Sequence, residues 1–253
     1  MDVKTRRELL LKLLEEKGAV GVSEASGSIK VSQMTIRRDL QVLARAGLAV
    51  RVHGGAVPAA STSYEQPFSG RAERNVEAKQ RIGAVAAGLV GDGETVILDV
   101  GTTAMQVASA LVGRRNLTVL TPSLRALSLL EDQEGIQLMT TGGVLRRGEL
   151  SLTGELAEKA FSDFRFDTFI MGVGGIHPAH GLTEFNPADA RVKKCALASA
   201  SRCVVVADHS KLGRIAFSRI APLSAATYLV TDRDADGGAL EAIRSEGVEV
   251  IQA

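Results

Sequence analysis

The chain is poor in the features that define several large protein classes. It has two cysteines, Cys195 and Cys203, in 253 residues, and they lack the spacing of metal ligands. No apolar run approaches the ~18 residues of a membrane-spanning helix. The first residues are charged and have neither the apolar segment nor the cleavage site of a signal peptide. We therefore expect a cytoplasmic protein with buried free thiols, no membrane partner, no metal and no cofactor.

Net charge is also nearly absent, at +1, but its distribution is uneven. Residues 1–57 contain ten Lys or Arg and six Asp or Glu, a balance of +4, and the remainder carries −3. A basic segment joined to a mildly acidic one is typical of a protein that binds DNA at one end. Because +4 is modest, we expect two or more copies to bind together.

Residues 32–40, Ser-Gln-Met-Thr-Ile-Arg-Arg-Asp-Leu, predict the start of a DNA-recognition helix. Ser32 is a favourable N-cap, and Ile36, Leu40 and Leu43 form one apolar stripe. Arginine can pair with guanine or phosphate and glutamine with adenine. The alternative is a solvated surface helix. The residues expected to contact DNA are Ser32 itself and Gln33, Met34, Thr35, Arg37, Arg38 and Gln41.

The flanking segments favour DNA binding. A first helix is expected over residues 6–14, closed by Gly18, and a second over Val22–Ile29. Gly47 should end the recognition helix, followed by a strand at 48–52 and a hairpin turn at 53–56. Residues 3–58 thus predict a winged helix-turn-helix, whose wing residues Arg51 and His53 can contact phosphate or the minor groove. The expected apolar face of the first helix is Leu9, Leu10, Leu13 and Leu14.

Residues 59–76 have the composition of a linker, and residues 77–253 form the second predicted domain. Its helix-like and strand-like segments alternate, which predicts an α/β fold with a mainly parallel sheet covered on both faces. Ligands of such sheets bind beyond the carboxyl ends of the strands. Helices are predicted at 79–90, 103–111, 124–130 and 188–200, and strands at 95–99, 117–121, 136–139, 166–171, 203–207, 227–230 and 248–251.

Polar residues and glycines follow successive predicted strands. Asp99 ends the first, and Gly101, Thr102 and Thr103 then open a helix whose free N–H groups suit a phosphate. A simple turn with a threonine cap is the alternative. The other strand ends should meet at one rim and complete an effector site: Thr121, Ser123, Gly142, Gly143, Gly174, Gly175, Thr183, Glu184, Asp208, Ser210 and Lys211.

Two regions invite metal assignments. His177 and His180 supply only two ligands, and residues 232–237 lack the bidentate glutamate of a calcium loop, so we interpret both as polar loops.

The pattern V-S-x-x-T-I-R-R-D-L, the later R-V-H-G-G-A, and the strand-end segments at 99–103, 121–123, 142–143, 181–183 and 208–211 resemble the DeoR family of bacterial transcription regulators. The resemblance covers about residues 5–232. It implies operator DNA and a phosphorylated sugar as partners, and a second domain similar to pentose-phosphate isomerases and coenzyme A transferases. By this resemblance, Gly101, Thr102 and Thr103 hold the phosphate and Lys211 or Lys193 neutralises it. Asp99, Asp208 or Glu184 would then bond sugar hydroxyls.

The chain departs from the family pattern at two places. Ala25 and Ser26 replace the usual Leu-Ala pair, and Gly27 and Ser28 follow, so the second helix should be weaker. Pro122 replaces an asparagine in Thr-Asn-Ser, and proline supplies neither the amide side chain nor a backbone N–H.

The leading hypothesis is a non-enzymatic, effector-controlled repressor of carbohydrate metabolism, acting as a homodimer or larger homo-oligomer. One rival is an isomerase-like enzyme with a DNA-binding head, in which Asp99, Glu184, Asp208 and Lys193 transfer protons. Against it, no compact carboxylate pair with an adjacent lysine is visible in the sequence. The other rival is a constitutive DNA-binding protein with a vestigial sensor, which Pro122 favours.

Overall fold

The computed structural model describes residues 1–17, 19–45, 48–58 and 65–253. Contacts divide the chain into two compact units, Met1–Gln66 and Pro67–Ala253. The N-terminal unit contains α1 (Val3–Lys17), β1 (Val20–Gly21), α2 (Val22–Ile29), α3 (Gln33–Arg45), β2 (Ala49–Val52) and β3 (Gly55–Pro58).

The N-terminal unit has three helices and a β-hairpin, as predicted. Helix α2 has the predicted bounds, and α1 extends three residues beyond its predicted range at each end. Helix α3 buries Ile36, Leu40 and Leu43, which confirms its apolar stripe. The apolar face of α1 is narrower than predicted, since Leu9 is 41% exposed.

Strand β1 is an element that the sequence did not predict. It adds to the hairpin to make a sheet of order β1-β3-β2. Gly55 permits this pairing, because a Cβ there would collide with the backbone carbonyl of Val20. Two residues are too short for a strand pattern to show in sequence. The glycines expected to end α1 and α3, Gly18 and Gly47, lie outside the described residues.

The C-terminal unit contains most of the chain. Helix α4 lies within residues 59–76, the predicted linker, of which 59–64 are outside the described residues. Its elements are α4 (Phe68–Ala72), α5 (Val76–Gly88), β4 (Thr95–Leu98), α6 (Thr102–Leu111), β5 (Leu117–Thr121), α7 (Leu124–Leu130), β6 (Ile136–Thr140), β7 (Val144–Arg146), β8 (Ser151–Thr153), α8 (Glu155–Lys159), β9 (Phe166–Gly172), β10 (Gly175–His177), β11 (Gly181–Glu184), α9 (Pro187–Ser199), β12 (Ala200–Val206), β13 (Ser218–Ala221), β14 (Tyr228–Thr231), α10 (Gly237–Arg244) and β15 (Glu249–Gln252).

Seven of these strands form one parallel sheet of order β15-β14-β12-β9-β4-β5-β6. All seven were predicted, which confirms the α/β class. Two small antiparallel sheets, β7-β8 and β10-β11-β13, were not predicted. Among the described residues, no helix has the length and apolar character needed to cross a membrane.

Both faces of the parallel sheet are covered. Val96 and Leu98 belong to one apolar cluster, and Ile97 between them belongs to the other, because successive side chains of a strand alternate. Cys203 is buried as predicted, whereas Cys195 is only half-buried.

The order of the strands locates the region where a ligand should bind. From β4 the chain proceeds to β5 and β6 on one side, whereas from β9 it proceeds to β12, β14 and β15 on the other. The switch point therefore lies between β4 and β9. In open α/β sheets, ligands bind at this place, outside the carboxyl ends of the strands.

Candidate functional site

Helix α3 presents a polar face to solvent. The Ser32 hydroxyl accepts the backbone N–H of Thr35 at 3.2 Å, which confirms the predicted N-cap. Beyond it, the exposed residues of α3 include five that were predicted to contact DNA: Gln33, Met34, Arg37, Arg38 and Gln41. Thr35 is half-buried. Gln33 also donates to the Ser23 hydroxyl of α2 at 3.1 Å, so this side chain has a structural contact as well.

Asp39 anchors the buried side of α3 to α1. It is 2% exposed and pairs with Arg6 at 2.5 Å and Arg7 at 3.0 Å. Although burial opposes the shift, the hydrogen bonds from these arginines lower the pKa of Asp39. Arg6 and Arg7 are therefore paired within the N-terminal unit, whereas Arg37 and Arg38 are exposed to solvent. In the wing, Arg51 is half-buried and His53 is exposed.

At the switch point, three buried charged side chains meet. Lys193 of α9 lies 2.5 Å from Asp99, which follows β4, and 3.1 Å from Glu184 of β11. Lys193 also donates to the carbonyl of Gly172 at 2.8 Å, and the Gly172 N–H donates to Asp99 at 2.9 Å. We call Asp99, Glu184 and Lys193 the switch-point triad.

The pKa values of the triad follow from burial and pairing. Burial raises the pKa of Asp99 to about 6. Against the effect of burial, Asp99 and Glu184 raise the pKa of Lys193, and Lys193 lowers that of Glu184. At neutral pH the triad therefore holds one positive and two negative charges. The charge of Lys193, which the family resemblance offered as an alternative to Lys211 for neutralising a phosphate, is therefore already balanced by these carboxylates.

The switch-point triad brings together residues that are far apart in the sequence. No compact carboxylate pair with an adjacent lysine is visible in the sequence, yet in the fold the carboxylates of Asp99 and Glu184 both pair with the ammonium group of Lys193. These residues come from three separate elements, so local spacing gave no signal of their contact.

A second cluster surrounds Asp208, which follows β12 and is 2% exposed. Its carboxylate accepts from Asn75 at 3.1 Å and from the Ser210 N–H at 3.0 Å. The Ser210 hydroxyl also donates to it. Lys79 of α5 lies 3.8 Å away and donates to the carbonyls of Arg71 and Arg74. Although burial opposes the shift, these contacts lower the pKa of Asp208.

Further cations lie near this cluster. The ring of Phe185 is 6.0 Å from Lys211 Nζ and 5.0 Å from the Arg214 guanidinium. Burial lowers the pKa of Lys211 to about 8 against the attraction of Asp208, and nearby Arg214 and Arg71 lower it further. Four cations therefore lie around Asp208 and Lys211, and one of them, Arg71, pairs with the buried carboxylate of Glu149. We call Arg71, Lys79, Lys211 and Arg214 the cation cluster.

Helix α6 begins at the same edge of the sheet. Gly101 precedes it with φ of 111°, a conformation that side chains disfavour. Thr102 and Thr103 occupy its first turn and are 7% and 8% exposed. The first backbone N–H groups of a helix have no partner within the helix and carry partial positive charge, so they suit an anion.

Other predicted site residues have identifiable structural contacts. The Thr121 hydroxyl donates to the Leu98 carbonyl at 2.7 Å, and Ser123 caps α7 by accepting from Ala126. The Thr183 hydroxyl donates to the Gly175 carbonyl and accepts from Ala216. Gly143, Gly174 and Gly175 pack closely against neighbouring atoms, whereas a Cβ on Gly142 would meet nothing within 4 Å.

Helix α4 supplies contacts that the sequence did not reveal. Arg71 pairs with the buried carboxylate of Glu149, and the Arg125 guanidinium lies 4.0 Å from the centre of the Phe68 ring. Lys79 carried one usable signal, since a lysine placed among the small and apolar residues of α5 suggests a buried partner. Arg71 and Glu149 are 78 residues apart and gave none.

One group of residues has metal-ligand chemistry. Ligand atoms of His209, Asp232 and Asp234 lie within 4.8 Å of one another. Asp232 already accepts the backbone N–H of His209 at 2.7 Å, and its other carboxylate oxygen lies 2.6 Å from Nδ1 of the His209 ring. The hydrogen bond to the ring raises the pKa of His209, so the contact between the two residues is explained without a metal.

A winged helix-turn-helix head and a parallel α/β unit with an anion-suited rim define a ligand-responsive transcription regulator. The chain matches the model of the DeoR-like helix-turn-helix domain over residues 6–62 and that of the DeoR C-terminal sensor domain over residues 74–233. It therefore belongs to the DeoR family of transcriptional regulators.

Similar proteins span nearly the whole chain. The putative aga operon transcriptional repressor of Escherichia coli O157:H7 is 33% identical over 97% of this chain and 92% of its own length. The glycerol-3-phosphate regulon repressor of Escherichia coli K12 is 34% identical over 90% of each. Ribose 5-phosphate isomerase A of Methanocaldococcus jannaschii has a TM-score of 0.41 and 21% identity over 54% of each chain, a likeness that says nothing about activity.

Proposed function

We propose that this regulator is a repressor that holds two-fold operator DNA as a homodimer or larger assembly. A phosphorylated sugar, or a related phosphorylated metabolite, releases it. We further propose that it works in the cytoplasm, binds its effector without turnover and needs no cofactor. The single observation that carries the effector proposal is the cation cluster at the carboxyl edge of the sheet, beside the switch point.

The proposed DNA contacts lie on the exposed face of α3. Arg37 and Arg38 can pair with guanine edges or phosphates, and Gln41 can read adenine. The wing residues Arg51 and His53 would add contacts to phosphate or the minor groove. Because the N-terminal segment carries only +4, two heads on one operator would supply the affinity that one head lacks.

The proposed effector site joins α6 to the cation cluster. The N-terminus of α6, with Thr102 and Thr103, and the ammonium of Lys211 would hold the phosphate. Asp208 would accept sugar hydroxyls, as would the Asp99 and Glu184 oxygens that Lys193 leaves available. A phosphate dianion would also relieve the mutual repulsion of Lys211, Arg214 and Arg71. The relative named as a glycerol-3-phosphate regulon repressor is consistent with a phosphorylated effector.

Helix α4 offers a route from effector to DNA. It is the first helix after Gln66 along the chain, and its Arg71 pairs with Glu149. A bound phosphate would compete with Glu149 for Arg71 and so change how α4 is held. To switch most of the population, the effector must favour the released state by several kcal/mol.

The triad is proposed to bind rather than to catalyse. Lys193 is held by two carboxylates and a carbonyl, so its proton is stabilised and poorly suited to transfer near neutral pH. We expect no interconversion of pentose or hexose phosphates by the purified protein. Measurable turnover of a pentose or hexose phosphate by the purified protein would favour the isomerase-like alternative instead.

The proposal is tested by titrating sugar phosphates into the complex of the full chain with a fragment of its own promoter, followed by fluorescence anisotropy. At least one phosphosugar should release the DNA, whereas its unphosphorylated form should not. Thr102→Ala combined with Thr103→Ala should abolish release but preserve DNA binding. Ser109→Ala, which removes an exposed hydroxyl from the other end of α6, is the matched control. Tight DNA binding that no phosphosugar affects would favour the constitutive alternative.

A further inference from the structure

One exposed apolar side chain interrupts the polar face of α3. Met34 lies in the first turn of this helix and is 57% exposed. Met34, Arg37, Arg38 and Gln41 are all exposed and are spaced i, i+3, i+4 and i+7, so they form one stripe along the helix. We call these four residues the recognition stripe. Met34 is its apolar member and lies at its N-terminal end.

The polar side chains beside Met34 already have partners within the N-terminal unit. Gln33 donates to the Ser23 hydroxyl at 3.1 Å, and the hydroxyls of Ser32 and Thr35 are hydrogen-bonded to each other at 2.9 Å. The Ser32 hydroxyl also accepts the backbone N–H of Thr35 at 3.2 Å. These contacts hold the polar groups at the start of α3 in place, so Met34 is the side chain there with the most freedom to contact DNA.

The position of Met34 determines which part of the duplex it can meet. The N-terminal residues of a recognition helix contact the base edges in the major groove. The edges of the base pairs there present hydrogen-bond donors and acceptors, and the apolar group among them is the C5 methyl of thymine. A methionine side chain is flexible and apolar, so contact with this methyl is favourable, whereas burial against a polar base edge would leave that edge without a hydrogen bond.

We infer that Met34 selects a thymine in each operator half-site by contact with its C5 methyl group. The inference rests on the proposed DNA contacts of α3 and adds one base of the operator sequence. A rise of 1.5 Å per residue separates Met34 from Arg38 by about 6 Å along the helix, and about two base-pair steps of DNA cover a similar distance. The thymine should therefore lie within about two base pairs of the position that Arg38 contacts.

The first test is selection of binding sites by the full chain from a pool of random-sequence duplexes. Wild type should enrich thymine at one fixed position of each half-site. Met34→Ala should lose the preference for thymine at that position and keep the preferences at the others, because the rest of the recognition stripe is unchanged. Leu9→Ala, which shortens a side chain 41% exposed on α1, is the matched control and should select the wild-type sequence.

Replacement of the selected thymine by uracil tests the contact itself, because uracil pairs in the same way but lacks the C5 methyl. In fluorescence anisotropy, wild type should bind the uracil duplex about fourfold more weakly for each substituted half-site, as expected for the loss of one buried methyl group. Met34→Ala should bind the thymine and uracil duplexes equally. Because Met34 is exposed, the thermal stability of Met34→Ala should stay near that of wild type.

A wild-type selection without a fixed thymine, or equal wild-type affinity for the thymine and uracil duplexes, would overturn the inference. So would an unchanged preference for thymine in Met34→Ala. Each of these results would leave DNA binding by α3, and with it the proposed function, intact. A wild type that binds no duplex would overturn both the inference and the proposed function.

Discussion

Protonation of Lys211 should set how tightly the C-terminal unit binds a phosphate. Burial and the neighbouring arginines lower the pKa of Lys211 to about 8, whereas a phosphate dianion beside it would keep it protonated. Above about pH 8, Lys211 of the free protein must therefore take up a proton when the protein binds the phosphate. Phosphate monoesters lose their second proton near pH 6, so the ligand itself does not titrate between pH 7 and 9.

The magnitude follows from the fraction of Lys211 that is protonated. With a pKa of about 8, this fraction falls about tenfold from pH 7 to pH 9. The dissociation constant of a phosphosugar should rise by the same factor, equivalent to about 1.4 kcal/mol. Isothermal titration calorimetry at several pH values, in buffers of different ionisation enthalpy, measures both the affinity and the proton uptake.

Lys211→Arg is the matched control, because it keeps the positive charge and moves its titration far above pH 9. The affinity of Lys211→Arg for the phosphosugar should not change between pH 7 and pH 9. Proton uptake that persists unchanged in Lys211→Arg would assign the effect to another group, such as His209, whose pKa is raised by Asp232. An affinity independent of pH in the wild type would refute the placement of the phosphate beside Lys211.

Two further predictions concern stability. Lys193→Met should destabilise the C-terminal unit by about 3–5 kcal/mol, because it leaves Asp99 and Glu184 buried without their cation. The loss would appear in urea unfolding, and a change below 1 kcal/mol would contradict the ion pairing. Gly27→Ala should stabilise the N-terminal unit by up to about 1 kcal/mol, since Gly27 lies inside α2 and a Cβ there meets nothing within 4 Å. Calorimetry measures this gain in stability, and a melting temperature of Gly27→Ala below that of wild type would contradict the prediction.

The parallel sheet was predictable because its strands are apolar, β-branched segments between clear turns. Thr95–Leu98 and Leu117–Thr121 are examples, and alternation with helices fixed the class. The β7-β8 sheet was missed because Val144–Arg146 and Ser151–Thr153 are three residues each. Such short segments carry no measurable period.

The rim was predictable as a set of strand ends, but its contacts were not. Asp99 and Lys193 are 94 residues apart, and the sequence gave no reason to pair them. The family resemblance offered Lys193, as an alternative to Lys211, to neutralise the phosphate, and in the structure Lys193 pairs with the carboxylates of Asp99 and Glu184. Arg71 was missed because its partner Glu149 is 78 residues away, and Lys79 carried only the signal of a lysine among small and apolar residues.

The proposed repressor function depends on the exposed face of α3, and DNA binding at low ionic strength tests this face most directly. The full chain should bind a fragment of its own promoter. Arg37→Ala and Arg38→Ala should each weaken that binding by about 1–3 kcal/mol with the fold unchanged. Arg233→Ala, the same charge change at an exposed site of the C-terminal unit, should have no effect. If the wild type bound no double-stranded fragment, or if both α3 variants bound as tightly as wild type, α3 would not be the DNA-binding element.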